Sequence, residues 1–359
     1  MGAVRRGLYW LAGAVALLLL AAAVLSWAGG RYQQEAELRD AVVFPPPGQM
    51  LAVDGRAMHI DCQGYGDLPV IFEAGLGNWS IHWSAVRRLL GKDFLTCAYD
   101  RAGYGWSEPG FPPRSGPRMV AELHGLLSAK GLKPPYILVG HSLGGLLVRI
   151  YSRQYPGEVA GMVLVDPAHE NMLEALGEGY RRFMEGSLEN FKGLHYLSRW
   201  GLPRLLYQEV IPTFGLPTDL AGVNAAYMTH RSYYAAWVEE ASAFHETAAT
   251  ARDSGSLGDI PLVVVSAGRS FRDMGIETPA MNQAWGMLHR DLARLSGDGQ
   301  LVEAAGVGHL VMTDDPAVVR QAVETVVNRH RARVARLSQP PAEVPASPAE
   351  PAPKKTGQE

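Results

Sequence analysis

Between Leu8 and Ala28 the chain carries no charge, and from Leu8-Tyr9-Trp10-Leu11 through Ala14-Val15-Ala16-Leu17 to Val24-Leu25-Ser26-Trp27 nearly every position is apolar. About 21 such residues, rising roughly 1.5 Å each, span about 31 Å as a helix, which matches a bilayer's hydrocarbon core. Between Gln49 and Arg336 the pattern changes, and short β-rich runs alternate with longer amphipathic stretches. Such alternation predicts a mostly parallel sheet covered by helices. Strands are expected near Met50–Val53, Met58–Cys62, Val70–Phe72, Leu95–Tyr99, Ile137–Val139, Met162–Val165, Leu262–Val265 and Leu301–Ala304, and helices near Ser84–Leu90, Met119–Ala129, Gly145–Tyr155 and Ala317–Arg336. From Pro167 to Asp259 the alternation stops: helical patterns and many aromatics, among them Tyr180, Phe191, Tyr233, Tyr234 and Trp237, run on without a convincing strand. A loop of that length needs structure of its own, so the segment is expected to be a helical cap over one end of the sheet, inserted between strands 6 and 7.

The expected organisation is an anchor at 1–30, a stalk at 31–48 that includes the Pro45-Pro46-Pro47-Gly48 linker, a sheet-and-helix core at 49–166 and 260–336, the cap at 167–259, and a tail at 337–359. The tail is Pro, Ala, Glu and Lys without an aromatic residue, a composition that cannot bury enough surface to order itself.

Composition adds exclusions. Lys plus Arg number 33 against 36 Asp plus Glu, a net charge of −3, so there is no basic excess to neutralise a phosphate backbone, and nucleic acid is not an expected partner. Arg5 and Arg6 precede the apolar stretch, whereas the charges just after it, Arg31, Glu35, Glu37, Arg39 and Asp40, carry no positive excess. The positive-inside rule then leaves the N-terminus cytoplasmic and the bulk of the chain outside the cytoplasm. The alternative, a secreted protein after signal cleavage, meets an apolar stretch longer than the usual signal core of about 7–15 residues and no convincing small-x-small site.

Chemistry enters at Gly140-His141-Ser142-Leu143-Gly144, set between an apolar strand and a helix. Glycines two residues either side of a Ser let a strand turn into a helix within a few residues, so that the hydroxyl projects above the sheet. The N–H of Leu143, at the helix start, can then serve as an oxyanion donor. His309, in Ala305-Gly306-Val307-Gly308-His309 after the last expected strand, is placed for a general base. His141 is expected to support the Ser, and His169 to line the cap entrance. No metal or organic cofactor is expected: His245-Glu246 lacks a second His at Ala249, neither Gly75-Leu76-Gly77 nor Gly103-Tyr104-Gly105 completes a dinucleotide fingerprint, and no phosphate-binding loop occurs.

These motifs resemble the α/β-hydrolase fold family over about Gln49 to Arg336. Val70-Ile71-Phe72-Glu73-Ala74-Gly75-Leu76-Gly77 resembles the family's oxyanion turn, with Ala74-Gly75 where most members have His-Gly. The resemblance implies Leu76 N–H as the second oxyanion donor. Asp100-Arg101-Ala102-Gly103-Tyr104-Gly105-Trp106-Ser107 resembles the loop after the fourth strand and implies a bracing role for Asp100 and Arg101. The triad acid usually follows the seventh strand, where this chain has Ser270. Two candidates remain: Asp166 at the end of the sixth strand, and Asp273, three residues beyond the usual place.

In the family's sheet order the strands of Cys62 and Cys97 are neighbours, which allows a disulfide and fits an oxidising compartment. The resemblance implies a serine hydrolase cleaving a carboxylic ester or related acyl compound, a small molecule, and the aromatic cap suggests that its acyl or aryl group is apolar. Alternatives are an acyltransferase or a carbon–carbon bond hydrolase with the same triad, or a non-catalytic binder on the same fold. Dehalogenases and epoxide hydrolases of this fold carry Asp at the position of Ser142.

Overall fold

The computed structural model describes residues 2–338, so nearly all of the expected tail, 337–359, lies outside the described residues. Eight strands form one sheet: β1 (Gln49–Val53), β2 (Arg56–Gln63), β3 (Val70–Glu73), β4 (Thr96–Tyr99), β5 (Tyr136–His141), β6 (Val159–Val165), β7 (Leu262–Ala267) and β8 (Gly299–Ala304). Their order is β1-β2-β4-β3-β5-β6-β7-β8; β2 runs antiparallel to β1 and β4, and every other pair is parallel.

The α-helices are α1 (Gly2–Val43), α2 (Ser84–Leu90), α3 (Gly116–Lys130), α4 (Leu143–Gln154), α5 (Met172–Ala175), α6 (Gly177–Ser198), α7 (Leu202–Tyr207), α8 (Thr218–Tyr227), α9 (Arg231–Ser242), α10 (Phe244–Arg252), α11 (Pro279–Ala293), α12 (Val311–Asp314) and α13 (Pro316–Leu337). Strands buried on both faces read as continuous apolar runs, because alternate side chains enter opposite layers. Ile71, Leu138, Leu164 and Val264 enter the layer of α3, α4 and α11. Phe72, Val139, Val163, Val165 and Val263 enter the layer of α2 and α13.

The segment between β6 and β7 holds six α-helices, α5 to α10, and among its described residues no strand. Its aromatics Tyr227, Tyr233, Tyr234 and Trp237 bury against Trp79 and Tyr104 of the core in a third apolar cluster.

Three features depart from the expectations above. Residues 31–43 are no stalk, because α1 continues through them and lies against the cap. Gln33, Ala36 and Asp40, spaced three and four residues apart, form one buried helix face. Gln33 Nε2 donates to Thr229 O at 2.9 Å, and Asp40 Oδ2 accepts from Arg204 Nη2 at 2.6 Å and His230 Nε2 at 3.0 Å. Burial raises the pKa of Asp40, but His230 and Arg204 outweigh it and hold the carboxyl below its ordinary value. Secondly, α10, within the segment expected as cap, packs instead in the core layer of α3 and α4: Ala248 and Ala251 are buried there, and Gly116 N donates to Thr247 Oγ1 at 2.9 Å. Thirdly, α11 stands where no helix is expected; Thr278 caps it by accepting from Met281 N at 3.2 Å, Pro279 opens it, and Met281, Trp285 and Leu292 are its buried face.

In the β2–β4 register Cys62 lies opposite Cys97, with Cα atoms 4.1 Å apart and the sulfurs at bonding distance, 2.07 Å. With a sequence separation of 35, this bridge restricts the unfolded chain by about 3–4 kcal/mol. The double variant Cys62→Ala, Cys97→Ala is therefore expected to lose about that much stability in denaturant titration, and an unchanged midpoint would contradict the bridge.

Candidate active site

All the sequence-identified groups lie at the carboxyl ends of parallel strands, where open α/β sheets place their sites. Ser142 is the single residue between β5 and α4, with φ 51° and ψ −119°. A non-glycine residue in that region costs about 1–3 kcal/mol, sustained here by close packing on both sides. A Cβ on Gly140 would stand 2.5 Å from Gly144 O, and one on Gly144 2.5 Å from Glu73 O. Both glycines are thus required by the approach of backbone rather than by unusual dihedrals.

The turn after β3 rests on this elbow. A Cβ on Gly75 would stand 2.7 Å from His141 Nδ1 and 3.1 Å from Ser142 Cβ, so only glycine lets Leu76 follow so near the Ser. Among the described residues neither Leu76 N nor Leu143 N has a backbone or side-chain partner. Leu143 N is the first N–H of α4, where the helix leaves its donors free. On the outer side of the turn sits the cap: a Cβ on Gly77 would meet Trp237 Cδ1 at 3.0 Å and Tyr233 Oη at 3.1 Å.

Arg101 holds the turn from beneath. Its Nη1 donates to Ala74 O at 2.6 Å and to Glu73 Oε1 at 2.8 Å, and its Nη2 donates to Gly75 O at 2.8 Å. Its other edge makes a two-pronged pair with Glu240 of α9, both bonds at 2.8 Å. Tyr99 also donates to Glu73, and Tyr104 Oη to Glu240 at 3.2 Å. Glu73 and Glu240 play no part in the sequence reading above; the only signal for either is an acidic residue on an otherwise apolar strand or helix face. Asp100, adjacent, is buried and accepts from Ser80 N at 2.9 Å, Trp106 N at 3.0 Å and His59 Nδ1 at 2.9 Å.

His309 sits in the loop between β8 and α12, and its Nδ1 lies 2.6 Å from Asp166 Oδ2. Asp166 directly follows β6 at φ 40° and is fully buried. Its second oxygen, Oδ1, accepts from Trp285 Nε1 at 2.9 Å, Ala267 N at 3.0 Å and Ser270 Oγ at 3.0 Å. Burial pushes the Asp166 carboxyl up, but the hydrogen bond and charge of His309, then His289 and the Ala267 N–H, outweigh that and hold it below the ordinary value. Ser270, at the family's usual acid position, thus donates to Asp166, which follows the strand before. Asp273 is exposed and engaged by Arg272 at 2.8 and 3.0 Å.

Two further histidines, His141 and His289, flank the pair, and a third, His169, follows Asp166 in the chain. His141 Nε2 donates to His309 O at 3.0 Å, and burial first, then the neighbouring His309, depresses its pKa well below the usual value, so it is neutral. His289 Nε2 donates to Pro167 O at 3.0 Å while Nδ1 accepts from Ser266 Oγ at 2.7 Å, which fixes the segment following Asp166. His169 does not line an entrance: it is buried, accepting from Asn171 N at 3.0 Å and donating to Asp291 Oδ2 at 3.3 Å. Among the described residues no hydrogen bond joins Ser142 Oγ to His309; in enzymes without substrate such bonds are often long and tighten on binding. Nor do three or more His, Cys, Asp or Glu side chains converge as metal ligands among the described residues.

The family model described as alpha/beta hydrolase fold matches residues 69–269. An uncharacterized protein of Bacillus subtilis, YqjL, is 26% identical over 275 residues, covering 76% of this chain and 89% of its own. An esterase from Thermogutta terrifontis superposes with a TM-score of 0.57 at 23% identity, over 78% of this chain and 97% of that one. An epoxide hydrolase from Bacillus megaterium does so with a TM-score of 0.59 at 17% identity, over 78% and 100%. At such identities the two solved structures speak for the fold and leave the chemistry open. With its β1-β2-β4-β3-β5-β6-β7-β8 sheet, the helix-flanked Ser142 turn and this match, the chain belongs to the α/β-hydrolase fold family.

Proposed function

We propose that this protein is a membrane-tethered serine hydrolase that cleaves a carboxylic ester or related acyl compound. The observation that carries the reading is the 2.6 Å contact of His309 Nδ1 with the buried carboxylate of Asp166, in the chain order Ser, acid, His that hydrolases of this fold use. Asp166 holds the imidazole with its proton on Nδ1, which leaves Nε2 a lone pair with which to take the Ser142 hydroxyl proton. Ser142 Oγ attacks the acyl carbonyl, and the N–H groups of Leu76 and Leu143 receive the oxyanion. His309 returns the proton to the leaving alcohol, and the acyl group stays on Ser142. Water then attacks this ester with His309 again as base, releasing the acid and restoring the hydroxyl. Ser142 in place of an Asp favours this chemistry over that of the family's epoxide hydrolases. Trp237 and Tyr233 beside Gly77 support an apolar acyl or aryl group.

The tether is the N-terminal half of α1, a helix whose apolar window has a mean hydropathy of 2.4 and no buried residue. Arg5 and Arg6 before it, and the cross-strand pairing of Cys62 with Cys97 behind it, support a cytoplasmic N-terminus with the catalytic domain on the oxidising side. Stopped-flow hydrolysis of p-nitrophenyl esters tests the activity: a burst of nitrophenol close to one per enzyme, followed by slower turnover, is expected, and the absence of any release above background would contradict it.

A further inference from the structure

The cap touches α1 inside the apolar stretch, not only beyond it. Trp200, between α6 and α7, donates from Nε1 to Ser26 Oγ at 2.6 Å. A Cβ on Gly29 would stand 2.8 Å from Trp200 O, so the two backbones meet where the apolar stretch ends. Around that meeting point an apolar groove of about 560 Å³ lies between helix and cap, walled by Ala22, Leu25 and Tyr32 on one side and Trp200, Leu202 and Leu205 on the other. Counting 1.5 Å per residue along the helix, Leu25 and Ala22 lie about 5 and 9 Å inside the end of the stretch at Ala28.

The outer face of the same corner is apolar and open. Leu205, Leu206 and Val210 are exposed by 62%, 64% and 68%, whereas the aromatic residues of α9 are buried. Beside them the Arg199 guanidinium lies 4.3 Å over the Tyr196 ring and 5.4 Å from the Trp200 ring. Aromatic and basic side chains at the rim of an apolar face are what a headgroup region accommodates. The cap cannot swing away from this position freely, because Asp40 is locked to Arg204 and His230, and Glu37 Oε1 accepts from Arg231 N at 3.0 Å.

We infer that the α6–α7 corner of the cap is a membrane-docking surface that seats in the lipid interface beside the tether. This rests on the reading of α1 as a membrane span: if residues 8–28 cross the bilayer, the groove that Leu202 and Leu205 share with Leu25 and Ala22 reaches a depth of roughly 5–10 Å, the depth to which interfacial helices sink. A cap cavity of about 590 Å³, lined by Leu197 and Tyr207 at this corner and by Phe191 and Tyr233 toward the oxyanion turn, then has one end at the lipid surface.

The test is photolabelling of the full chain in phosphatidylcholine–phosphatidylglycerol vesicles containing a phospholipid with a diazirine on its acyl chain, with adducts mapped by mass spectrometry. Adducts in both 8–28 and 196–210 are expected. Adducts in 8–28 alone would overturn the docking surface while leaving the tether intact, as would a corner covered by a second copy of the chain. Absence of adducts from 8–28 would overturn tether and docking together. The exposed double variant Leu205→Glu, Leu206→Glu is expected to lose at least about tenfold of the label in 196–210, with labelling of 8–28 and hydrolysis of a short soluble ester unchanged. Undiminished label in 196–210 in that variant would overturn the assignment.

Discussion

Ser142→Ala is expected to lower kcat for ester hydrolysis by about 10⁶-fold, the scale on which removal of a nucleophile acts when the triad works as a unit. The substitution deletes one oxygen from a half-buried residue and leaves the φ of 51° as it was, so the melting temperature is expected to stay within about 2 °C of the parent's, a one-atom change at a partly exposed site costing well under 1 kcal/mol. Steady-state rates measured beside thermal unfolding separate the two effects. Activity within tenfold of the parent would remove Ser142 from the chemistry, since oxyanion donors and substrate binding alone leave only about 10³–10⁴ over water.

Asp166→Asn is expected to lower kcat by about 10⁴-fold through the tautomer of His309. The carboxamide introduced there retains an oxygen that can accept from Trp285, Ala267 and Ser270, so those three bonds survive. Its NH₂ group would then face His309 Nδ1, a donor against a donor, and the ring relieves this by carrying its proton on Nε2, the nitrogen that must accept from Ser142. Asp273→Asn removes only an exposed pair with Arg272 and is expected to change kcat by less than about threefold, in line with the small worth of surface ion pairs. A reversed ranking of the two variants would transfer the acid's role to Asp273. The folded pKa of Asp166 is depressed below the ordinary 3.8, so its contribution to stability is present above about pH 4 and is lost as pH falls through the folded value.

The inner strands β3, β5, β6 and β7 were legible because buried parallel strands are apolar runs rich in Val, Ile and Leu, and the turn at Ser142 because glycine is needed where backbones meet. The candidate acids could not be separated by such means. Asp166 and Asp273 differ in which one the loop after β7 leaves near His309, and that depends on Ser270 and Trp285 turning their donors toward Asp166. The second half of α1 was hidden for another reason: its buried face, Gln33, Ala36 and Asp40, is mostly polar and is held to the cap by hydrogen bonds from Gln33 and to Asp40, so apolar periodicity does not reveal it. Arg101 and Glu240 lie 139 residues apart, and no local pattern announces their pairing. By contrast α11 did carry its signals, the Thr278-Pro279 start and the spacing of Met281, Trp285 and Leu292, and is a helix the pattern supports.

The most direct measurement is covalent labelling with a fluorophosphonate, which reacts with a serine only when a base and an oxyanion site have activated it. One adduct per chain is expected, mapped to Ser142 by peptide mass spectrometry, abolished in Ser142→Ala and strongly slowed in Asp166→Asn. An unlabelled parent protein, or equal labelling of Ser142→Ala, would contradict it.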